Sequence, residues 1–411
     1  MKVAILAIGN EVLCGKIVDT NGAIISREIE KMGAKVVHRE VVLDTVDDIV
    51  LGLNHAFLYA DLVITIGGLG PTVDDLTRIG VADYFDEELV YDEAVFDEIA
   101  LMFTSMGRVV TENNKQQAFR FKTGTVLKND NGTAPGLMLK KDERQVFLLP
   151  GPPNELLPMF DKFVLPIIKE QVLEPVVSRS YRLHGIGESA AEDKIIHLYE
   201  KYQNLDIAPY CAVSYIDYVV STKQVNESEI DDFEVEFFKI LEQFYIGSAE
   251  VSLCARVVDE LRKKKMMISV AESCTGGMLA SNFIEIPGVS EVFFDGVVAY
   301  SNESKMARLG VMEQTLSDFG AVSSEVATEM ALGILKDSKA NVSVSITGVA
   351  GPDGGTSKKP VGTVYIGICI NSDVFVEKFN FSGDREKIRN RAMNQALYEL
   401  FKRLIDHKET L

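Results

Sequence analysis

The sequence lacks any long apolar run. None of its 411 residues lies in a stretch that approaches the roughly 18 consecutive apolar residues typical of a membrane span. The first residues also lack the long hydrophobic segment and the small-residue cleavage site of a secretory signal, because Glu11 interrupts them early. We therefore expect a cytoplasmic protein that has no membrane partner.

Cysteine is scarce, and no two cysteines form a CxxC pair. An odd number of scattered cysteines argues against a disulfide framework and against a zinc knuckle. We expect most of them to be buried apolar thiols. The five are Cys14, Cys211, Cys254, Cys274 and Cys369.

Positive charge is also in short supply. The chain has 42 lysines and arginines against 61 aspartates and glutamates, which gives a formal net charge of -19. This balance argues against broad electrostatic binding to nucleic acid or to an anionic membrane. An anionic substrate would need a local site that overcomes the field of the whole molecule.

The length predicts several domains, because one hydrophobic core rarely serves so long a chain. Residues 1–170 alternate short β-branched runs with amphipathic stretches, which predicts an α/β domain with a parallel sheet and crossover helices. Residues 171–248 are predicted to form a small α+β domain. Its helix ESEIDDFEVEFFKILEQF has apolar residues at helical spacing, which pack against a neighbouring subunit or against its own domain. Residues 249–411 return to the α/β pattern.

A serine follows a buried strand in the segment AESCTGG and precedes a helix. At such a strand-to-helix turn, helix amides can stabilise an anion or an oxyanion near Ser273. The amides of Thr275, Gly276 and Gly277 belong to this turn. The alternative is that Ser273 only caps the helix and that the glycines form a phosphate loop without covalent chemistry.

A lysine follows the next strand, which is predicted to end at Tyr300. Asn302 or Ser304 is the predicted cap of the following helix, so Lys305 falls in its opening turns. The helix dipole and shielding from water would both disfavour the ammonium form there, as a general base for serine requires. The alternative is a solvated surface lysine, which is the commoner situation.

The last two motifs offer groups for phosphate or ribose. In the loop TGVAGPDGG, the backbone at Thr347, Gly348 and Gly351 would allow close approach of a ligand, or the loop is only a flexible turn. The segment FSGDR begins the final helix. Arg385 and Arg389, one turn apart, are either phosphate ligands or surface charges.

The order AESCTGG, VVAYSNESKMARLGV, TGVAGPDGGTSKKPVGTVYIG and FSGDR resembles the nicotinamide-nucleotide amidohydrolase domain of the CinA-like competence/damage-inducible proteins. The resemblance covers nearly all of residues 249–411. It implies hydrolytic deamidation of nicotinamide mononucleotide, with Ser273 as nucleophile and Tyr300 and Lys305 as the activating pair. It implies no cofactor for this site. After Leu253 the sequence has one histidine, His407, which disfavours a Ser-His triad.

In the first domain, a glycine-rich segment follows a strand in GGLGPTVDDLT. Gly67, Gly68 and Gly70 before a helix N-terminus would form an anion cradle. Asp74 and Asp75 would hold a divalent cation that bridges phosphates. The alternative is that the two aspartates open the helix and only complement its dipole.

More polar residues are expected at the same end of the sheet. Glu11, Asp19 and Asn21 belong to GNEVLCGKIVDTN, and Asp44 follows the strand residues VVL. Several acidic groups at the ends of strands suggest metal-assisted phosphate chemistry. Asn10 precedes Glu11, so no carboxylate is available at position 10.

The motifs GNEVLCGKIVDTN, GGLGPTVDDLT, NGTAPG and LLPGPPNEL resemble the MoaB/MogA-like molybdopterin-binding domain of CinA-like proteins. That resemblance implies metal-dependent hydrolysis of ADP-ribose to AMP and ribose 5-phosphate. We predict the metal ligands Asp44, Asp74 and Asp75, for a divalent cation whose identity stays open. The predicted substrate-binding residues are Glu11, Asp19, Asn21, Gly67, Gly68, Gly70, Thr72 and Thr77. The middle domain resembles the KH-like linker of full-length family members.

Together these motifs predict a bifunctional enzyme of pyridine-nucleotide salvage that forms a homodimer and binds no nucleic acid. Its small-molecule partners would be nicotinamide mononucleotide and ADP-ribose. One alternative is an active amidase fused to a non-catalytic nucleotide- or molybdopterin-binding scaffold. The other is a competence-associated interaction protein in which both pockets only bind ligands.

Overall fold

The computed structural model describes residues 1–172, 176–223, 226–336 and 338–406. His407, the histidine noted in the sequence, lies outside these ranges. The chain divides into two compact units, namely 1–178 with 222–227, and 179–221 with 228–411. No helix within the described ranges is long and apolar enough to cross a membrane. The domain boundaries after residues 170 and 248 stay predictions.

The first unit alternates strands and helices along most of its length. Its elements are β1 (Lys2–Ile8), α1 (Asn10–Leu13), α2 (Thr20–Lys31), β2 (Lys35–Val42), α3 (Val46–Tyr59), β3 (Leu62–Ile66), α4 (Thr77–Phe85), β4 (Leu89–Tyr91), α5 (Glu93–Ser105), a 3-10 helix (Glu112–Ala118), β5 (Phe119–Phe121), β6 (Thr125–Leu127), β7 (Gly136–Lys141), β8 (Arg144–Leu149), α6 (Pro153–Met159), a π-helical turn (Phe160–Val164) and α7 (Leu165–Gln171).

The main sheet of this unit has the strand order β2-β1-β3-β8-β7-β6, and β4 pairs with β5 separately. The first four strands of the main sheet are parallel, as predicted. β7 is antiparallel to β8 and β6 is antiparallel to β7, so the predicted parallel sheet is extended at one edge by two strands in antiparallel pairing. Only Asp142 and Glu143 connect β7 to β8, and two residues cannot form the crossover that parallel strands require.

Both faces of this sheet are covered. Alternate residues of β1 point to opposite faces, which places Leu6 with the buried residues of α3 and α4 and Ile5 with those of α2, α6 and α7. Burial on both faces explains the continuous apolar sequence of the central strands. The loops that carry the glycine-rich and acidic motifs leave this sandwich at the carboxyl ends of β1, β2 and β3.

From residue 176 onward the chain forms a small sheet with helices and then a second α/β layer. The elements are β9 (Val176–His184), α8 (Glu188–Lys201), β10 (Asp206–Cys211), β11 (Tyr215–Lys223), α9 (Glu227–Leu241), β12 (Tyr245–Gly247), α10 (Leu253–Lys263), β13 (Ile268–Glu272), α11 (Met278–Ile284), β14 (Phe293–Val298), α12 (Asn302–Leu309), α13 (Glu313–Phe319), α14 (Ser324–Leu335), β15 (Val342–Gly348), β16 (Thr363–Ile370), β17 (Asp373–Asn380) and α15 (Arg385–Asp406).

The small sheet has the order β10-β11-β9-β12. The apolar face of α9 is buried at Ile230, Phe233 and Phe237. Tyr181 of β9 lies 5.1 Å from Phe237 between ring centroids. The helix therefore packs within its own domain, which was one of the two sequence-based alternatives, and the predicted homodimer stays a prediction.

The C-terminal sheet has the order β14-β13-β15-β16-β17. β13 is parallel to both of its neighbours, and β16 and β17 are antiparallel. Val270 of β13 packs with α10, α11 and α15, whereas the next residue, Ala271, packs with α12 and α14 on the other face. Because parallel strands end at the same edge, the segments after β13 and β14 emerge side by side.

Candidate active sites

The C-terminal domain brings a serine and a lysine into contact at this edge. Ser273 follows β13 directly, and Lys305 lies in the first turn of α12. Lys305 Nζ is 3.0 Å from Ser273 Oγ. Lys305 keeps only 1% of its surface exposed and Ser273 only 7%. The alternative of a solvated surface lysine is therefore wrong.

The start of α12 differs slightly from the prediction. Its cap is Ser301, whose Oγ accepts a hydrogen bond from the Ser304 amide at 3.1 Å, rather than Asn302 or Ser304. The reason is that β14 ends at Val298, two residues earlier than predicted, so the chain turns into the helix sooner.

Two backbone carbonyls complete the surroundings of the lysine amine. Lys305 Nζ donates to the carbonyl oxygens of Ala299 and Tyr300, each at 3.0 Å. Burial lowers the pKa of Lys305 from its ordinary value. A neutral amine has two N–H groups, which match the two carbonyls, and one lone pair, which is left to accept the Ser273 proton. The arrangement therefore suits a general base.

A buried carboxylate closes the turn that carries the serine. Glu272, 1% exposed, accepts hydrogen bonds from the amides of Gly277 at 3.0 Å, Leu279 at 3.1 Å and Ala280 at 2.8 Å. The anion site at the N-terminus of α11 is thus filled by the chain itself. The predicted availability of the Gly277 amide to substrate is wrong for this reason.

The other predicted amides of the turn are not equivalent. The Gly276 amide donates to the Ser273 carbonyl at 3.1 Å. Gly276 and Gly277 have φ angles of +63° and +95°, a left-handed conformation that favours glycine, so their role is to shape the turn. Of the three predicted amides, only that of Thr275 keeps its place as a candidate oxyanion donor.

Arg389 holds the same turn from the final helix. Its Nε donates to the Cys274 carbonyl at 3.1 Å and its Nη2 to the Thr275 carbonyl at 2.6 Å. The sequence left Arg389 as either a phosphate ligand or a surface charge. In the structure it is half-buried and bonded to two backbone carbonyls, so it is not a free surface charge, and a contact with phosphate stays a prediction. Burial raises the pKa of the neighbouring Cys274 thiol to about 11, so this cysteine stays protonated at neutral pH.

Tyr300 and Arg385 form a second group beside the Ser273–Lys305 pair. The Tyr300 side chain is 64% exposed, and its hydroxyl accepts a hydrogen bond from Arg385 Nη2 at 3.4 Å. Arg385 Nη1 also donates to the Gly351 carbonyl at 2.7 Å. Tyr300 therefore contacts Lys305 through its backbone oxygen and Arg385 through its phenol, and the structure brings together three of the predicted residues here.

Thr347 and Gly348 support the fold at the end of β15. Thr347 is 1% exposed, and its hydroxyl donates to the Ala321 carbonyl at 2.7 Å. A side-chain carbon at Gly348 would lie 2.7 Å from Val364, so the close approach that requires glycine is to β16. The predicted approach of a ligand to these two residues stays a prediction.

A cavity of about 630 Å³ lies at the carboxyl ends of β1 and β3 in the first domain. The predicted residues of this domain line it, with the exception of Thr77. They are Glu11, Asp19, Asn21, Asp44, Gly67, Gly68, Gly70, Thr72, Asp74 and Asp75.

Thr77 lies beneath the glycine-rich loop and is fully buried. Its hydroxyl donates to the Gly67 carbonyl at 2.9 Å. A side-chain carbon at Gly68 would overlap the Thr77 hydroxyl, and Gly68 has a φ of +66°. The prediction that Thr77 binds substrate is corrected, because this residue supports the loop from inside the domain.

The two adjacent aspartates precede the helix instead of opening it, since α4 begins at Thr77. Asp75 Oδ2 accepts hydrogen bonds from the amide and the hydroxyl of Thr72, both at 2.7 Å. A side-chain carbon at Gly70 would lie 2.6 Å from the same oxygen. One oxygen of Asp75 therefore orders the loop, and the alternative of two helix-opening charges does not hold.

The pKa of Asp44 is influenced by three other carboxylates in the cavity. Its pKa is raised mainly by burial, an effect opposed by the Asn10 amide at 2.9 Å and reinforced by Glu11, Asp74 and Asp75. Across the described ranges, no three His, Cys, Asp or Glu side chains form a group that could hold a metal ion alone. Mg²⁺ commonly takes one or two carboxylates together with substrate phosphates, so the four acids fit a cation that binds with its substrate.

Asp19 and Asn21 already have partners in the cavity wall. Asp19 accepts from the Gly22 amide at 2.8 Å, which caps α2, and from Arg39 at 2.7 Å. The Asn21 amide group donates to the Gly151 carbonyl at 2.7 Å. Both residues line the cavity, but these bonds already use several of the hydrogen-bonding groups that a ligand would otherwise contact.

Comparison with known proteins matches both domains. Residues 250–404 match the model of the CinA C-terminal domain, and residues 4–170 match the model described as "Probable molybdopterin binding domain". A competence-damage inducible protein of Clostridium acetobutylicum is 43% identical over 401 residues, which cover 97% of this chain and 98% of that protein. The chain belongs to the CinA family of competence-damage inducible proteins.

Two further proteins are similar to this chain. A competence-damage inducible protein of Clostridium perfringens is 44% identical over 402 residues, which cover 97% of each chain. A solved competence/damage inducible protein of Agrobacterium tumefaciens has 40% sequence identity and a TM-score of 0.36, and the match covers 36% of this chain and 92% of that one.

In this CinA family member, two functional candidates escaped the sequence analysis. Glu272 is adjacent to Ser273 in the sequence, but its role depends on amides five to eight residues further on. Glu155 belongs to the motif LLPGPPNEL and lines the N-terminal cavity. The sequence offered one indication for each of them, namely an acidic residue within a motif that other residues had already marked as part of a site.

Proposed function

We propose that the C-terminal domain is a hydrolytic amidase that removes ammonia from the carboxamide of nicotinamide mononucleotide. The observation that supports this proposal is the 3.0 Å contact between Ser273 Oγ and a buried Lys305 Nζ. A site that only binds a ligand does not need a desolvated amine beside a serine hydroxyl.

The reaction would proceed through an acyl-enzyme. Ser273 Oγ attacks the carboxamide carbon while Lys305 Nζ takes the hydroxyl proton. The resulting oxyanion would accept a hydrogen bond from the Thr275 amide. When the carbon–nitrogen bond breaks, Lys305 returns the proton and ammonia leaves. Lys305 then deprotonates a water molecule, which hydrolyses the ester to nicotinate mononucleotide and frees Ser273.

The neighbouring group would recognise the rest of the nucleotide. Arg385 supplies positive charge for the phosphate, which an acidic protein otherwise repels. The Tyr300 phenol is exposed and would pack against the positively charged pyridine ring, since aromatic faces attract cations.

The test is ammonia release from nicotinamide mononucleotide without added metal. Ser273→Ala and Lys305→Met should each lower kcat by on the order of 10³-fold or more, because they remove the nucleophile and its base. Ser281→Ala, an exposed serine in α11, is the matched control and should keep full activity. An inactive wild-type protein, or an active Ser273→Ala variant, would reject the proposal.

For the N-terminal domain we propose metal-dependent hydrolysis of ADP-ribose to AMP and ribose 5-phosphate. The support is a 630 Å³ cavity in which a glycine-rich loop and four carboxylates face the same space. One or two of the candidate ligands Asp44, Asp74 and Asp75 would hold the divalent cation together with the phosphates. A cation held there would supply positive charge to the pyrophosphate and lower the cost of attack by water.

This second activity is tested by AMP release from ADP-ribose with Mg²⁺ or Mn²⁺ and with excess chelator. Asp44→Asn should lower kcat by about 10²-fold or more, whereas Asp83→Asn, an exposed control in α4, should not. Binding of ADP-ribose without any AMP release would favour the non-catalytic scaffold. If the wild-type protein turns over neither substrate, the alternative of an interaction protein whose two pockets only bind ligands would be favoured.

A further inference from the structure

One carboxylate of the N-terminal cavity belongs to a different wall from the acidic cluster. Glu155 lies in the first turn of α6 and lines the cavity next to Thr133 and Ala134. The acids that raise the pKa of Asp44 are Glu11 of α1, which follows β1, and Asp74 and Asp75 of the loop after β3. The cavity thus has a four-acid side suited to a cation, and two other carboxylates, Asp19 and Glu155, in its lining. Asp19 is already paired with Arg39 and with the Gly22 amide, which leaves Glu155 as the one of these two without a cationic partner among the described residues.

The Glu155 carboxylate is held in one orientation. Asn129, 5% exposed, donates to Glu155 Oε2 at 2.6 Å and to the Ala134 carbonyl at 2.9 Å. A side-chain carbon at Gly132 would overlap the Glu155 carboxylate, so the loop backbone packs directly against it. No described residue donates a hydrogen bond to Glu155 Oε1. One oxygen is therefore fixed by the protein and the other is left for a proton.

The surroundings of Glu155 also suit proton transfer. Burial raises the pKa of its carboxyl, and the Asn129 hydrogen bond lowers it in part. A base whose pKa moves towards the working pH is a better proton acceptor than an ordinary exposed glutamate. Carboxylates in one site take different roles when their environments differ, as the four-acid cluster and Glu155 do here.

We infer that Glu155 is the general base of the N-terminal site and that Asn129 is its positioning residue. This inference rests on the proposed ADP-ribose hydrolysis. Glu155 Oε1 takes a proton from a water molecule as the water oxygen forms a bond to one phosphorus. The bond between that phosphorus and the bridging oxygen breaks, and the bridging oxygen leaves with the electron pair on the second phosphate. Glu155 then releases the proton to solvent.

The test compares Glu155→Gln with Glu170→Gln, an exposed glutamate in α7 that does not line the cavity. Glu155→Gln should lower kcat for ADP-ribose by about 10²-fold or more, within the range for loss of a general base, while KM changes little. Calorimetric binding of a methylene-bridged ADP-ribose analogue in the presence of Mg²⁺ should be unchanged. Glu170→Gln should match the wild type in all three measurements.

A pH profile separates a chemical role from a structural one. The wild-type rate should fall at acid pH as Glu155 becomes protonated. Asn129→Ala removes the hydrogen bond that lowers the Glu155 pKa, so this acid limb should move to higher pH. The residual activity of Glu155→Gln should lack this limb. A merely structural role would lower the rate without moving the limb.

The outcomes separate the two proposals. If the wild type releases AMP and Glu155→Gln keeps its kcat and its acid limb, the role of Glu155 is rejected and ADP-ribose hydrolysis stands. If Glu155→Gln loses analogue binding together with turnover, Glu155 is a structural residue and the inference is again rejected. If the wild type releases no AMP under any metal condition, both proposals fail.

Discussion

The groups within 3.0 Å of the Lys305 amine determine how readily this amine is protonated. Its three contacts are the Ser273 hydroxyl and the carbonyls of Ala299 and Tyr300, none of which carries a formal charge. Burial among such groups destabilises the ammonium form, which lowers the pKa of the side chain. The lysine can therefore act as a base at a pH where exposed lysines are fully protonated.

This shift predicts the pH dependence of ammonia release. The active form requires neutral Lys305, so kcat/KM for nicotinamide mononucleotide should rise with pH as the lysine loses its proton. Because the pKa is lowered, the midpoint should lie below the ordinary value of 10.5. Initial rates across the pH range check this expectation. A midpoint at the ordinary value would mean that the amine is solvated in the working enzyme.

At the scale of single residues, the sequence indicated which side chains are candidates for the chemistry, but it did not indicate the contacts that those side chains make. Ser273 and Lys305 could be selected from their motifs, but their burial depends on how α12 packs against α14. Glu272 could not be assigned because a carboxylate before a turn has no signature that distinguishes it from a ligand-binding one. The hydrogen bonds of Arg389 to two carbonyls likewise require α15 to pack beside the turn after β13, which the sequence does not indicate.

At the scale of elements, α12 and α14 approach each other through a glycine. A side-chain carbon at Gly333 of α14 would overlap the carbonyl of Leu309, the last residue of α12. No side chain fits there without separating the two helices. Because α12 also carries Lys305, the position of the amine depends on a contact made at the other end of the same helix.

Gly333→Ala should therefore lower both stability and amidase activity without touching the site. Overpacking of this kind typically costs about 1–3 kcal/mol of unfolding free energy. Thermal unfolding and ammonia release would be measured together. Leu332→Ala, at an exposed position of the same helix, is the control and should have little effect on either. Unchanged activity in Gly333→Ala would show that α12 tolerates displacement.

The elements themselves were largely predictable, and the errors have local causes. Alternating apolar segments indicated the order of strands and helices in both α/β domains. The antiparallel β7 was missed because the short connection through Asp142 and Glu143 was not weighed against the parallel pattern. The cap of α12 was misplaced because Ser301, Asn302 and Ser304 are all acceptable cap residues in a sequence.

At the scale of the whole molecule, the second unit buries a histidine without hydrogen-bond partners. His184 is 4% exposed and stacks on Tyr398 with ring centroids 4.2 Å apart. Neither ring nitrogen has a partner among the described residues. Burial lowers the pKa of His184 from 6.5 to about 4. Glu399 raises this pKa and Lys402 lowers it, both by smaller amounts.

This burial makes stability depend on pH. The unfolded chain binds a proton at His184 below pH 6.5 and the folded chain does so only near pH 4, so stability is lost as pH falls through this interval. Each pH unit corresponds to at most about 1.4 kcal/mol, which gives a loss of about 2 kcal/mol between pH 6.5 and pH 5. His184→Phe keeps an aromatic ring against Tyr398 and removes the titration.

Thermal unfolding at pH 7 and pH 5 would measure the difference. The wild type should lose more stability than His184→Phe over this interval, and the excess should be close to the contribution of one proton. If both proteins lose the same amount, another group controls the acid sensitivity. Alternation along β9 did not indicate that His184 would be buried. Tyr181 and Leu183 are buried and Arg182 between them is less so, which would place His184 on the less buried face.

The depth of Ser273 has a consequence for the shape of molecules that can react with it. Only 7% of the residue is exposed and its hydroxyl contacts Lys305, so we expect a flat and slim group to reach the oxygen more readily than a wide one. An unsubstituted carboxamide has this form, whereas an amide with alkyl groups on its nitrogen is wider. The domain would thus disfavour substituted amides by size, before any other part of the molecule is recognised.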